Sequence, residues 1–175
     1  MAAGCGLACD DDMRRAVHDA YVDYLVEEVA TESPDSVMLP GVRALLDTLS
    51  SRDDVHLALL TGNFRRGAEI KLGHVDLWRY FPAGAFGDDS HDRNALLWKA
   101  LANVEASGGP SVRPADAVII GDTPLDVAVA VKGGARSLAV ATGSYDVDTL
   151  LESGADRALA NLAEQAAVLE ALNLK

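Results

Sequence analysis

Residues 117–122 read AVIIGD, an apolar run of strand length that halts at Gly-Asp. Before it comes the Gly/Pro-rich loop SGGPSVRPAD; after it comes PLDVAVAVKGG, helical in spacing and ending in glycines that suit a helix C-terminus. The pattern of apolar run, short turn and helical stretch recurs along the chain. VHLALLTGN (55–63), AGAFG (83–87) and RSLAVATG (136–143) read as strands, while RRGAEIKLGHVDLWRYF and RNALLWKALANVEA read as helices between them; a last helix-rich stretch holds a short RALAN run. Strands that are apolar throughout are buried on both faces, and alternation with helices is how a parallel sheet is covered. The expected fold is therefore α/β, a Rossmann-like doubly wound parallel sheet.

The N-terminal part follows a different rhythm. From Asp10 to about Thr31, Met13, Val17, Tyr21, Leu25 and Val29 recur every four residues behind a cluster of acids, which predicts an amphipathic helix. ESPDS breaks it, and PGVRALLDTLSS begins a second helix with Pro40 near its first turn, where a missing N–H costs least. This divides the chain at about residue 36, into a helical segment over 1–36 and an α/β core over 37–175.

Composition removes several classes of function. The chain has 175 residues, 49% of them hydrophobic, enough for one substantial core. Its formal net charge of −12 repels a phosphate backbone, and no basic patch offsets it, so nucleic acid is not an expected partner. No apolar run reaches the roughly 20 residues needed to cross a bilayer, and MAAGCGLACDDDMRR lacks the order of a signal peptide; a cytoplasmic protein without a membrane partner is expected. Cys5 and Cys9 are too few for a four-ligand zinc site, and His18, His56, His74 and His91 show no paired metal-ligand spacing.

Candidate site residues follow from the fold. In an open parallel sheet, ligands collect beyond the carboxyl ends of the strands. Asp122 lies just past AVII and Asp126 in the first turn of the next helix, so both carboxylates face that crevice. Thr61, with Gly62 and Asn63, ends LALL in the same way and brings a hydroxyl and backbone N–H groups there. Carboxylate oxygens suit Mg²⁺, and a threonine with neighbouring N–H donors suits a phosphoryl oxygen. A purely structural reading of GDTPLD is a strand-to-helix turn in which Asp122 or Thr123 caps the helix and Pro124 occupies its first turn. Two such turns, in this order and both at carboxyl ends, favour a site.

LLTGN and VIIGDTPLD resemble the second and fourth motifs of the haloacid dehalogenase (HAD) superfamily, in its phosphoglycolate-phosphatase-like branch. LPGVRALLDTL is similar to the segment leading from the helical cap of those enzymes into their core. The resemblance runs from about residue 37 to the C-terminus, with residues 10–32 resembling the last helix of a cap, so residues 1–36 would be a cap remnant on a HAD-like core. It implies a Mg²⁺-dependent phosphatase of small phosphorylated metabolites that works through an aspartyl-phosphate. Asp122 would bind Mg²⁺, Asp126 would orient a basic residue, and Thr61 would hold a phosphoryl oxygen, with Gly62 and Asn63 beside it. For the basic residue of the third motif Arg93 is the choice, because it stands at a helix start; Lys99 is the rival.

One family feature is missing from the sequence. The first motif, an apolar strand ending in DxDxT/V that supplies the attacking aspartate, has no counterpart. Asp10 and Asp12 have the right separation, but no strand precedes them, and acids in a first helical turn are accounted for by the macrodipole. The chain thus reads as the C-terminal portion of a longer hydrolase, with the nucleophile absent. In the family that strand lies between those corresponding to LALL and VIIG, so here these two strands should either pair directly or leave edges that recruit other chains. The alternative function is a non-catalytic HAD-like or Rossmann-like module that binds a phosphorylated ligand in the same crevice.

Overall fold

A computed structural model describes residues 11–31, 38–90 and 92–174. Cys5, Cys9, Asp10 and His91 lie outside the described residues, as does the 32–37 stretch that holds the expected boundary at residue 36. Helix α1 (Asp11–Ala30) is followed by α2 (Val42–Ser50), β1 (Ala58–Leu60), α3 (Arg65–His74), β2 (Ala83–Ala85) and α4 (Leu96–Ala106). Then come β3 (Val118–Gly121), α5 (Pro124–Gly133), β4 (Arg136–Val140), α6 (Val147–Glu152), β5 (Arg157–Leu159) and α7 (Gln165–Ala171). Short 3₁₀ turns at Trp78–Tyr80, Arg93–Ala95 and Pro114–Asp116 lead into β2, α4 and β3. The expected α/β alternation is present, with every strand pairing parallel.

The strands form two sheets: β1 pairs with β2, and β3-β4-β5 form a second ladder. Direct pairing of LALL with VIIG is therefore not what the chain adopts. The same helical layers nevertheless cover both sheets. On one face Leu45 and Leu49 of α2, Leu138 of β4 and Val168 of α7 form a core onto which both Leu57, just before β1, and Val118 of β3 pack. On the other, Leu97 of α4, Ile119 of β3 and Val129 and Ala130 of α5 make a core that Leu60 of β1 joins. Residues of β1 and β3 thus share cores above and below while remaining unbonded to each other.

Backbone direction shows what this leaves open. The amide of Thr61 donates to Ala85 O across the β1–β2 ladder at 3.0 Å, and Arg136 N donates to Ala117 O across β3–β4 at 3.0 Å. Peptide groups alternate in direction along a strand, so the polar groups of Leu60 point away from β2 and those of Val118 and Ile120 away from β4. Among the described residues, two strand edges are thus left open. Ile120 is 39% exposed there, although it belongs to a strand otherwise apolar and half-buried or better.

Helix α1 lies on α3. His18 meets the Phe64 ring edge-on at 5.0 Å between centroids, Tyr21 does so at 6.0 Å, and Lys71 Nζ stands 5.9 Å from the centre of the Tyr21 ring. Of the expected apolar stripe, Leu25 is buried and Met13, Tyr21 and Val29 are half-buried, while Val17 is exposed because the contact with α3 is narrower than the stripe. Among the described residues no helix is long and apolar enough to cross a membrane.

Candidate active site

The β3–α5 turn is built by its own sequence. Thr123 has extended backbone angles and accepts from Asp126 N at 3.4 Å, while the Asp126 carboxylate accepts from Thr123 N at 3.1 Å and from its hydroxyl at 2.7 Å. This reciprocal capping box, with Pro124 in the first turn, fixes where α5 begins. Thr123 is the cap, and Asp122 is left outside the helix. Gly121 is required as well, since a Cβ there would overlap the Asp126 side chain.

Asp126 reaches a second element. Its Oδ1 accepts from Arg93 Nη2 at 2.5 Å, an ion pair in which Asp126 is largely buried and Arg93 is 37% exposed. Arg93 opens the 3₁₀ turn before α4, and Asp92 caps that turn by accepting from Asn94 N at 2.9 Å and Asn94 Nδ2 at 2.8 Å. Those hydrogen bonds, the backbone one foremost, hold the Asp92 carboxyl below its ordinary pKa. A methyl placed on Gly62 would lie 3.5 Å from Arg93 Nη1, so the guanidinium sits between the turn after β1 and the start of α5. Arg93 Nε is buried without an acceptor among the described residues, leaving the guanidinium incompletely satisfied.

The β1 turn is half-exposed at Thr61 and open at Gly62 and Asn63. The Thr61 hydroxyl accepts from Asn63 N at 3.1 Å, which leaves its own hydrogen available to a ligand. Gly87 N donates to Asn63 O at 2.8 Å and ties this turn to the one after β2. Asp122, at the end of β3, is half-buried and has no hydrogen-bond or ion-pair partner among the described residues. Thr61, Gly62, Arg93 and Asp126 are thus neighbours at the carboxyl ends of β1 and β3, with Asp122 on the β3 side.

Lys99 is placed elsewhere. It is exposed on α4 and lines an open hollow of about 360 Å³ with Arg65, Gly84 and Asn103, beside β2. Asp12 is exposed on α1 with Arg15 as its ion partner at 3.9 Å. The loop after β4 escaped the reading of the sequence: Gly143 lies against the Asp122 carboxylate, and Ala141 with residues 143–148 bounds an open hollow of about 540 Å³. Its signal is ATG following an apolar strand, the same pattern as LTG at the end of β1.

Any Mg²⁺ here would rest on few protein oxygens. Among the described residues no three His, Cys, Asp or Glu side chains are grouped to hold a metal ion. Asp122 remains a suitable hard-oxygen ligand, because its carboxylate is unengaged and Mg²⁺ commonly takes one or two carboxylates together with waters and substrate phosphate.

Comparison with known proteins agrees with this core. Residues 93–165 match the family described as HAD-hydrolase-like. No curated protein sequence matches the chain. Among solved structures, a predicted phosphatase from Clostridium acetobutylicum is 26% identical with a TM-score of 0.61 over 74% of this chain and 59% of its own. A haloacid dehalogenase-like hydrolase from Streptococcus pneumoniae is 20% identical with a TM-score of 0.69 over 96% of this chain and 74% of its own. CbbY from Rhodobacter sphaeroides, solved with xylulose-(1,5)-bisphosphate, is 22% identical with a TM-score of 0.69, over 86% of this chain and 64% of its own. The chain therefore spans roughly three fifths to three quarters of the length of these structures.

Proposed function

We propose, from the match of residues 93–165 to the HAD-hydrolase-like family, that this chain forms the phosphate-binding and metal-binding side of a Mg²⁺-dependent phosphatase acting on small phosphorylated metabolites. The observation that carries this reading is Arg93, clamped by Asp126 beside Gly62 while Asp122 stays unengaged at the end of the neighbouring sheet. A fixed cation and a free carboxylate on either side of a crevice suit a phosphoryl group together with a divalent ion.

Each group then has a defined task. Asp122 would hold Mg²⁺, which when bound neutralises charge on the phosphoryl oxygens. Thr61 donates its hydroxyl hydrogen to one of those oxygens, and the exposed backbone at Gly62 and Asn63 lies alongside. Arg93 stabilises the negative charge that builds during transfer, with Asp126 keeping its guanidinium oriented. The attacking carboxylate is neither of the two crevice acids: Asp126 is committed to Arg93 and Thr123, and Asp122 to the metal. We place it on polypeptide seated between β1 and β3. There a carboxylate oxygen bonds to phosphorus as the bond from phosphorus to the leaving oxygen breaks; water then hydrolyses the acyl phosphate. We place the protein in the cytoplasm, where soluble phosphorylated metabolites are made and consumed.

Inorganic phosphate with Mg²⁺ tests the binding side directly. Amide resonances of Thr61, Gly62 and Asn63 should move on titration, and Arg93→Ala should abolish the movement. Phosphate that leaves those three amides unmoved in the wild type would contradict the reading.

A further inference from the structure

The loop after β4 has no role in the mechanism above, yet Gly143 within it makes a close approach to Asp122. A Cβ built on Gly143 would overlap Asp122 Oδ2, and it would also lie 3.3 Å from Cγ and 3.7 Å from Cβ of the same residue. These three nearest atoms all belong to Asp122. Gly143 does not have a positive φ, so it lies outside the left-handed region that favours glycine; the space is what excludes a side chain. Among the described residues Asp122 also has no hydrogen-bonding partner that would fix its carboxylate. Contact with a bare backbone is then what limits its rotamer on this side.

We propose that Gly143 is a positioning residue for Asp122: the missing side chain makes the room in which the carboxylate turns toward the end of β3. An alanine at 143 and the present Asp122 rotamer exclude each other, so Gly143→Ala drives the carboxylate to another rotamer or shifts the loop. The proposal deepens the reading of Asp122 as the metal-side carboxylate and rests on it for its functional consequence; the contact itself does not depend on that reading.

A double-mutant cycle on the full chain separates the two. Gly143→Ala alone should lower the melting temperature by on the order of 5 °C, the scale of an overpacked side chain in a protein of this size. In the Asp122→Ala background the same substitution should have little effect, because the overlapping atoms are gone and Cβ of residue 122 is at ordinary contact distance. Equal losses in both backgrounds, or failure of the double variant to fold, would overturn the proposal. A fold recovered in the double variant when Gly143→Ala alone fails to fold would support it.

Mg²⁺ titration followed by amide shifts supplies the readout that a merely structural glycine would not move. Gly143→Ala should weaken Mg²⁺ binding roughly tenfold in the wild-type background and not at all in Asp122→Ala. Wild type showing no Mg²⁺ response would remove the metal reading of Asp122, while the stability cycle still decides the contact. Mg²⁺ affinity unchanged by Gly143→Ala in a wild type that binds the ion would overturn the positioning role.

Discussion

Arg93 Nη2 lies 2.5 Å from Asp126 Oδ1, joining the 3₁₀ turn ahead of α4 to the first turn of α5. Asp126 simultaneously closes the capping box of α5 through Thr123, so one carboxylate serves helix start and ion pair together. Asp126→Ala should therefore destabilise the chain more than Thr123→Ala, which removes the two bonds of the Thr123 hydroxyl and leaves the Arg93 pair and the bond from Thr123 N in place. We expect about 2–3 kcal/mol for the first and about 1 kcal/mol for the second in urea unfolding, with the ion pair discounted for the exposure of Arg93. Equal losses would mean that the Arg93 contact contributes nothing to stability.

Acid should weaken the fold through its caps and arginine pairs. Asp92 is held below the ordinary carboxylate range chiefly by the Asn94 amide, and Asp146 by its hydrogen bonding to Thr149. Asp54 and Asp116 are lowered in the same direction, foremost by hydrogen bonds from Arg52 and Arg113. A folded pKa below the unfolded one gives stability that is present above about pH 4 and lost as pH falls through the lower folded values. Unfolding free energy measured from pH 6 to pH 2 should fall below pH 4, and Asp146→Asn should flatten that fall. A pH-independent stability across this range would contradict the assignment.

Unpaired edges at β1 and β3 should recruit other chains. Both edges present backbone donors and acceptors between apolar layers, and exposed strand edges of that kind pair intermolecularly. Light scattering should show mass rising with concentration. Ile120→Pro removes one amide that points into the gap and should reduce the association. A monomer at every concentration would show that the edges recruit nothing.

Magnesium binding should be weak. With Asp122 as the one unengaged crevice carboxylate among the described residues, the dissociation constant should lie in the millimolar range or above. Asp122→Asn should weaken it further. Identical Mg²⁺-induced shifts in wild type and Asp122→Asn would remove Asp122 from the site.

Much of this was legible before any coordinates, for identifiable reasons. AVII and LALL announce strands because their apolar residues run without interruption, and they place Asp122 and Thr61 at strand ends; the full burial expected of them is not met, since no residue of β1 and only Ile119 of β3 is buried. Choosing Arg93 over Lys99 needed only the position of a helix start; Arg93 stands on Asp126, and Lys99 beside β2. Strand extent was less legible: β1 is Ala58–Leu60, shorter than the apolar run, because hydrogen-bond pairing ends before apolarity does. The split into two sheets cannot be read from either strand alone, since a run that is apolar throughout carries no mark of which edge will be paired. Gly143 carries the signal of ATG after an apolar strand, but its role could not be read there, because that role is a space filled by a carboxylate 21 positions away in sequence.

Hydrolysis of p-nitrophenyl phosphate with Mg²⁺ tests the central claim, that this crevice stabilises phosphoryl transfer begun by a carboxylate from between β1 and β3. The 175-residue chain alone should be no faster than buffer with Mg²⁺. Joined to an upstream segment whose strand ends in DxD, it should turn over. Thr61→Ala, Arg93→Ala and Asp122→Ala in that extended protein should each lower the rate on the order of a hundredfold or more. Robust turnover by the 175-residue chain itself, abolished by Asp10→Asn, would contradict the account and make CDDDM the nucleophile motif.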